Sequence, residues 1–217
     1  KYAHITLVDI NRHLPYGSYA HGLALNDLFS HFTSRYGMIF DCDVAVLKKD
    51  WDVELLSRMQ DRVAIIGSSY RNTYPKYLGF PTLFAALFDV EIFRKCNISF
   101  LPQGPSKDQP QADVSILTID ESNAEIYGRQ IGDSIQLDTG CELPLKLKEN
   151  AYKGIALSTE SYGGEKKFIK NDLRADEFLL EDEPYFTHLG RSSSRDFGVH
   201  PIAIDWEKQV RQFLYKK

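Results

Sequence analysis

The chain has 217 residues, of which 43% are hydrophobic and 12% aromatic, a composition typical of a folded globular protein rather than a disordered one. The formal net charge is −4 and the basic residues are scattered, which argues against nucleic-acid binding through a dominant basic surface. No apolar stretch reaches the roughly 18 residues that a membrane-spanning helix needs, so we expect no transmembrane segment.

The first third of the chain alternates between strand and helix patterns. In chain order we predict a strand at 4–8, a helix at 18–32, a strand at 37–40, a helix at 51–59 and a strand at 63–66. Ser18 and Asp50 are the predicted N-caps of the two helices. Strand, helix, strand, helix, strand is the βαβ signature, which predicts a mostly parallel sheet covered by helices.

Beyond residue 67 the pattern becomes less regular. The predicted elements are a strand at 82–88, a helix at 90–95, a proline-containing loop at 101–111, a helix at 142–147, a strand at 155–157 and an amphipathic helix at 206–214. We therefore predict a single α/β domain over 1–217, with a βαβ portion at 1–67 and a more irregular portion, closed by the C-terminal helix, at 68–217.

The predicted strand at 37–40 ends in Asp41-Cys42-Asp43. Residues two apart on a strand share a face, so the two carboxylates would point the same way and Cys42 toward the core. Paired carboxylates at a strand end are well suited to bind a hard divalent cation, and such a cation often binds phosphate. The pattern favours a nucleotide-dependent enzyme, although strand-end acids without a metal are the alternative.

Other kinds of site are not indicated. The chain has neither GxGxxG nor GxxxxGK[ST], which counts against a Rossmann dehydrogenase and a P-loop enzyme. Its three cysteines are odd in number and lack CxxC spacing, so neither a zinc knuckle nor a disulfide framework is predicted. With no signal-peptide pattern, this cysteine usage favours a reducing compartment, and we expect a cytoplasmic location.

Four sequence blocks carry a resemblance to a known family. They are SYAHGLALNDLFSHFTSRYGMIFDCDVAVLKKDW at 18–51, GFPTLFAALFDVEIFRK at 79–95, LDTGCELPLKL at 137–147 and YFTHLGRSSS at 185–194. Taken together, the blocks resemble nucleotide-sugar glycosyltransferases of the GT-A fold, in particular those of family 2. In that family a helix leads to a strand ending in Asp-X-Asp, and an acceptor-half strand, an acidic segment and a histidine-bearing loop follow.

The resemblance implies a GT-A-like, mostly parallel central sheet flanked by helices. In these terms 1–67 is the donor and metal side, and 68–217 is the irregular acceptor side with the C-terminal helix. The family normally begins with a strand-helix-strand unit that binds the nucleotide base and ribose. Here one predicted strand precedes the first helix, so part of that unit is expected to be missing, supplied elsewhere or abbreviated.

The resemblance also implies a metal-dependent hexosyltransferase. It would move a sugar from a UDP- or GDP-linked donor to a glycan or other hydroxyl acceptor, by an inverting mechanism or, alternatively, a retaining one. Asp43 would ligate Mn²⁺ or Mg²⁺, Asp41 would hold the ribose or the metal through water, and His188 would complete the cation's shell. The cation would stabilise the departing nucleotide as a Lewis acid.

Further residues are candidates for contacts with the two substrates. Arg191 and Ser192 would contact phosphate oxygens of the donor. His21, near the start of the first helix, is a donor-binding candidate, with a surface or capping role as the alternative. Tyr74 and Tyr77 would stack on a sugar acceptor through their aromatic faces, although core packing or loop anchoring is the common fate of such residues.

An inverting transfer needs a carboxylate to accept the proton of the attacking hydroxyl. Asp138 is our candidate because it matches the family's acidic segment, and its alternative role is the N-cap of the helix predicted at 142–147. Asp113 is the second candidate and Glu142 a weaker one. A sugar-phosphate nucleotidyltransferase and a truncated, non-catalytic binding module are the alternatives for the whole chain.

Overall fold

A computed structural model describes residues 8, 17–69, 79–102, 115–122, 124, 130–132, 134–160, 175–189 and 201–215. The strand predicted at 4–8 lies outside these residues except for Val8, and so does most of the loop predicted at 101–111. Among the described helices none is both long and apolar enough to cross a bilayer.

The described residues form an alternating set of helices and strands. The helices are α1 (Gly17–Ser30), α2 (Trp51–Ser57), α3 (Val90–Lys95), α4 (Leu143–Glu149) and α5 (Pro201–Tyr215). The strands are β1 (Tyr36–Phe40), β2 (Val44–Val46), β3 (Val63–Gly67), β4 (Ala85–Asp89), β5 (Ser115–Thr118), β6 (Ser134–Leu137), β7 (Lys153–Ala156), β8 (Ser158–Glu160), β9 (Asp176–Leu180) and β10 (Glu183–His188). The helices and strands predicted within these residues all have counterparts, displaced by a few residues at their ends.

Four strands form a central sheet in the order β1-β4-β3-β7. Strands β1 and β3 each pair antiparallel with β4, and β3 pairs parallel with β7. Strands β1, β3 and β7 therefore run in one direction, and β4 lies between β1 and β3 in the other. The fold is mixed α/β, and the mostly parallel sheet that we predicted is not confirmed, because one of the three pairings is parallel.

A second four-stranded sheet has the order β2-β10-β9-β8 and is antiparallel throughout, and β5 and β6 form a separate antiparallel pair. The chain passes from the central sheet to the second sheet twice. One passage joins β1 to β2 through residues 41–43, and the other joins β7 to β8 through Leu157. The predicted acidic motif therefore lies at a junction of the two sheets.

Both faces of the central sheet are buried, each by a different apolar cluster. On β3, Ile65 belongs to a cluster that includes Leu25 of α1, whereas its neighbour Ile66 belongs to a cluster that includes Phe186 of β10. Successive side chains of a strand point to opposite faces, so a strand covered on both sides needs a continuous apolar run. The sequences VAIIG of β3 and AALFD of β4 have this character.

Of the two predicted helix caps, one is confirmed in position and one differs. Asp50 is the N-cap residue of α2, as predicted, but it adopts a left-handed conformation with φ of 52° and its side chain makes no capping hydrogen bond. Its carbonyl accepts the N–H of Glu54 at 3.2 Å. Helix α1 begins at Gly17, which puts Ser18 in its first turn rather than at its N-cap.

Candidate metal centre

Residues 41–43 form a turn that backbone hydrogen bonds fix to both sheets. The N–H of Asp41 donates to the carbonyl of Phe84 at 2.8 Å, just before β4 begins. The N–H of Val44 donates to the carbonyl of Asp41 at 3.1 Å, and the N–H of Leu189, just after β10, donates to the carbonyl of Asp43 at 3.0 Å. Both acidic residues are therefore held by their own backbones.

Cys42 lies between the two acids with its side chain exposed. The expectation that this residue points into the core is wrong. Strand β1 ends at Phe40, so residues 41–43 belong to a turn, and the alternation of faces that holds within a strand no longer applies there.

The last residue of β10, His188, faces this turn from the second sheet. Its Nε2 lies 3.2 Å from Oδ1 of Asp43 and 3.9 Å from Oδ2 of Asp41. Asp41, Asp43 and His188 each offer one donor atom such that all three atoms lie within 4.8 Å of one another. The structure thus brings together the three predicted metal ligands, which we call the Asp-Asp-His centre.

The imidazole of His188 is held between apolar surroundings and the two carboxylates. Its side chain is only 8% exposed, and its ring stacks on Phe84 with centroids 4.6 Å apart and planes inclined by 21°. Phe178 lies nearly parallel to it at 6.4 Å. Nδ1 of His188 is buried and has no hydrogen-bond partner among the described residues. Within the described part of the chain, ring stacking rather than a second hydrogen bond therefore defines the plane of this imidazole.

His21 approaches the centre from α1. Its Nε2 lies 3.7 Å from Oδ1 of Asp41. The helix is held by Asn26, whose Oδ1 accepts the N–H of Phe100 at 3.0 Å. At Gly22 an added Cβ would lie 2.6 Å from the carbonyl oxygen of Phe100, so only glycine permits this close approach. These contacts position His21 beside Asp41. Asp41 therefore has a histidine near each of its carboxylate oxygens, His21 near Oδ1 and His188 near Oδ2.

The pKa of Asp41 is raised above its usual value. Burial is the largest cause, because it disfavours the charged carboxylate. The positive fields of His21 and His188 oppose the shift, while the negative charges of Asp43 and Asp138 add to it. The raised pKa therefore comes mainly from burial of the carboxylate, and a bound cation would offset that cost.

Asp138 directly follows β6, and its charge acts on Asp41. Oδ1 of Asp138 accepts the N–H of Thr139 at 2.7 Å, and the Thr139 hydroxyl donates to the carbonyl of Ser18 at 3.0 Å. The alternative role of Asp138 as a helix cap is wrong. Helix α4 has Glu142 at its N-cap, without a side-chain capping bond, and that carboxylate pairs with Lys146 at 2.8 Å.

The remaining predicted site residues lie outside the residues that the structure describes. They are Arg191, Ser192, Tyr74, Tyr77 and the second base candidate, Asp113. Sequence reasoning also missed two residues that contact β10 or its histidine. Phe84 stacks on His188, and the indole N–H of Trp206 donates to the Thr187 hydroxyl at 3.1 Å.

Comparison with known proteins adds no relative. No protein-family model matches the chain, and no significant match was found among curated proteins or solved structures. The geometry and charge of the Asp-Asp-His centre and its surroundings are therefore the structural observations that bear on function.

Proposed function

We propose that this chain is a metal-dependent glycosyltransferase that transfers a sugar from a nucleoside diphosphate donor to a hydroxyl acceptor. The observation that carries the proposal is the convergence of Asp41, Asp43 and His188, whose donor atoms lie within 4.8 Å of one another. Asp41 and Asp43 belong to one turn, and His188 comes from a strand far along the chain, so that distant parts of the chain meet where the two sheets join. Resemblance of the sequence blocks to the GT-A family supplies the reaction class.

The donor set fits a divalent cation of the Mn²⁺ or Mg²⁺ type. Carboxylate oxygens suit both ions, and a neutral imidazole is a common ligand of transition metals. His188 is positioned for this role because its Nε2 is directed at the carboxylates from a nearly buried ring. The raised pKa of Asp41 also fits, since a bound cation would offset the cost of the buried negative charge.

In the proposed reaction Asp41, Asp43 and His188 hold the cation against the diphosphate of the donor. A cation bound there supplies Lewis-acid stabilisation of the negative charge that develops on the departing nucleotide. His21, at 3.7 Å from Asp41, helps to orient that carboxylate. Burial of the His188 ring limits its alternative rotamers, which keeps the ligand set preorganised.

Asp138 is the proposed base that accepts the proton of the acceptor hydroxyl. Its negative charge acts on Asp41, which supports a position for this carboxylate in the same region of the protein as the Asp-Asp-His centre. The hydrogen bond from Thr139 to Ser18 links the segment of Asp138 to the start of α1, the helix that also carries His21. This hydrogen bond helps to hold Asp138 in a fixed position relative to His21.

The sheet topology is compatible with a GT-A-like arrangement. Strands β1, β3 and β7 run in one direction, so their carboxyl ends lie at the same edge of the central sheet. Ligand sites of open α/β sheets occur at the carboxyl ends of such strands. The acidic turn follows β1 at this edge, which supports assigning the donor to the space beyond it.

The proposal is tested by calorimetric titration of UDP and GDP, with and without Mn²⁺, into the wild-type protein and Asp43→Asn. Asp52→Asn, which changes an exposed acid on α2, is the matched control. We expect metal-dependent binding of one nucleotide, lost in Asp43→Asn and kept in Asp52→Asn. The base of the nucleotide that binds identifies the donor class.

Other outcomes would point to the alternatives. Metal-dependent binding of UTP or GTP, with release of pyrophosphate from that nucleotide when a sugar phosphate is added, would identify a nucleotidyltransferase. Binding of Mn²⁺ without any nucleotide would leave a metal centre without a donor site. Absence of Mn²⁺ binding would refute the proposal for this chain and favour a non-catalytic module.

A further inference from the structure

We propose that Phe84 is the positioning residue of the Asp-Asp-His centre, an inference that rests on the metal site of the proposed function. Phe84 directly precedes β4 and reaches both halves of the centre. Its backbone contacts Asp41, in the turn that follows β1, and its ring contacts His188 of the second sheet. The residues of β4 itself contribute no ligand to the centre.

The backbone contact fixes one carboxylate. The paired register of β1 and β4 ends at Phe40 and Ala85. The hydrogen bond from the N–H of Asp41 to the carbonyl of Phe84, at 2.8 Å, extends this ladder by one step into the acidic turn. This hydrogen bond therefore fixes the position of the Asp41 backbone, from which its carboxylate extends, relative to Phe84.

The ring contact fixes the imidazole. A histidine that binds metal usually has its other ring nitrogen held by a carboxylate or carbonyl, which sets the ring orientation. Nδ1 of His188 has no such partner among the described residues. The torsion that turns an imidazole about its Cβ–Cγ bond has broad preferences, so a flat neighbour is needed to define the plane. Phe84, stacked at 4.6 Å and 21°, provides that plane, and Phe178 is more distant at 6.4 Å.

A simpler role for Phe84 is apolar filling. The residue is only partly buried and packs against the cluster of core residues between the two sheets. A filling role requires volume and would be largely preserved by leucine. An orienting role requires a flat aromatic face and would be preserved by tyrosine but not by leucine. The two roles therefore predict different results for these two substitutions.

The first measurement is the NMR spectrum of the histidine ring protons in EDTA-treated protein at one fixed pH. His188→Gln assigns the His188 signals. Protons above the face of a phenyl ring are shielded, so we expect the His188 signals to move downfield in Phe84→Leu and to stay near their wild-type positions in Phe84→Tyr. Phe40→Leu is the matched control, because the ring of Phe40 contacts Trp51 and Phe186 instead.

The second measurement is Mn²⁺ affinity, determined by EPR titration of the same variants. Loss of an orienting partner typically weakens metal binding about tenfold or more, so we expect roughly a tenfold loss in Phe84→Leu and little change in Phe84→Tyr or Phe40→Leu. Urea unfolding of each variant verifies that it is folded. If Phe84→Leu does not fold, Phe84→Met provides the same two readouts.

Unchanged His188 signals and unchanged Mn²⁺ affinity in folded Phe84→Leu would overturn the inference and leave Phe84 as a filler. The failure of the proposed function looks different. If the wild-type protein binds no Mn²⁺, the metal site is refuted, and the NMR comparison alone decides the inference. A downfield shift confined to Phe84→Leu would then still support an orienting role for Phe84, and unchanged signals would overturn it.

Discussion

The indole N–H of Trp206 donates a 3.1 Å hydrogen bond to the hydroxyl of Thr187, the residue beside His188. Thr187 is fully buried and pairs with Ala45 of β2 on one side and Glu177 of β9 on the other. The C-terminal helix is thus attached to the strand that carries His188. This attachment is a polar contact within a mostly apolar protein interior, so its loss is measurable.

Removing the Trp206–Thr187 hydrogen bond is expected to destabilise the fold. Trp206→Phe and Thr187→Val should each lower the free energy of unfolding by about 1 kcal/mol, the usual net contribution of one hydrogen bond. The double variant should cost less than the sum of the two, because the partners share one interaction. Urea denaturation measures all three values. Thr187→Ser, which keeps the hydroxyl, is the control, and strictly additive losses would contradict the prediction.

Asp41→Asn is expected to stabilise the metal-free protein at neutral pH. The pKa of Asp41 is raised, so the folded protein binds this proton more tightly than the unfolded chain does. The contribution of Asp41 to stability therefore falls as the pH rises from the unfolded pKa through the raised folded pKa. An amide at this position carries no buried charge, and each ~1 kcal/mol gained should raise the Tm by about 2–4 °C for a protein of this size.

Thermal unfolding of EDTA-treated protein, followed across pH, measures this effect. The advantage of Asp41→Asn should shrink as the pH falls through the raised pKa of the folded protein, and it should be smallest below the unfolded pKa of about 4. Asp52→Asn, which changes an exposed acid in the first turn of α2, is the control. A lower Tm for Asp41→Asn at neutral pH would mean that the contacts with His21 and His188 outweigh the burial of charge. The same variant should bind Mn²⁺ more weakly, because it lacks the Asp41 carboxylate. The substitution would then raise stability and lower metal affinity.

The imidazole of His188 should make the centre prefer Mn²⁺ to Mg²⁺. Mg²⁺ strongly favours oxygen ligands, whereas a nitrogen ligand contributes more to binding of a transition metal. His188→Gln should therefore reduce the affinity for Mn²⁺ more than that for Mg²⁺. Thermal shift titrations report this directly, since a cation at 100 times its Kd stabilises the folded protein by about 2.7 kcal/mol. Equal losses for the two ions would indicate that His188 is not a ligand.

Gly140 is expected to tolerate no side chain. Its φ is 75°, and an added Cβ would lie 2.7 Å from Cδ1 of Leu83. Gly132 has a similar φ of 90°, but no atom of the described residues lies within 4 Å of an added Cβ. Gly140→Ala should therefore cost about 1–2 kcal/mol for the left-handed backbone plus an added steric cost, whereas Gly132→Ala should show the backbone cost alone. Chemical denaturation compares the two, and equal losses would mean that Leu83 moves aside freely.

The sequence by itself determined those features that depend on residues close together in the chain. Strand β1, the acidic pair at its end, strand β3 and helix α3 were predicted because apolar periodicity and strand-end chemistry are local. Helix α3 also has a local cap, since Oδ1 of Asp89 accepts the N–H groups of Glu91 and Ile92 at 3.0 Å each. Local patterns of this kind require no knowledge of the partner strands.

Only the tertiary structure decided which strands became neighbours and which side chains met. Strand β4 inserts antiparallel between β1 and β3, although the βαβ pattern predicted parallel neighbours. The turn after β1 exposes Cys42, because a turn does not preserve the alternation of a strand. The ring of Phe84 meets His188 only because the two sheets join at the acidic turn. Pairing order and packing between sheets depend on contacts between distant residues, for which a single sequence carries no local signal.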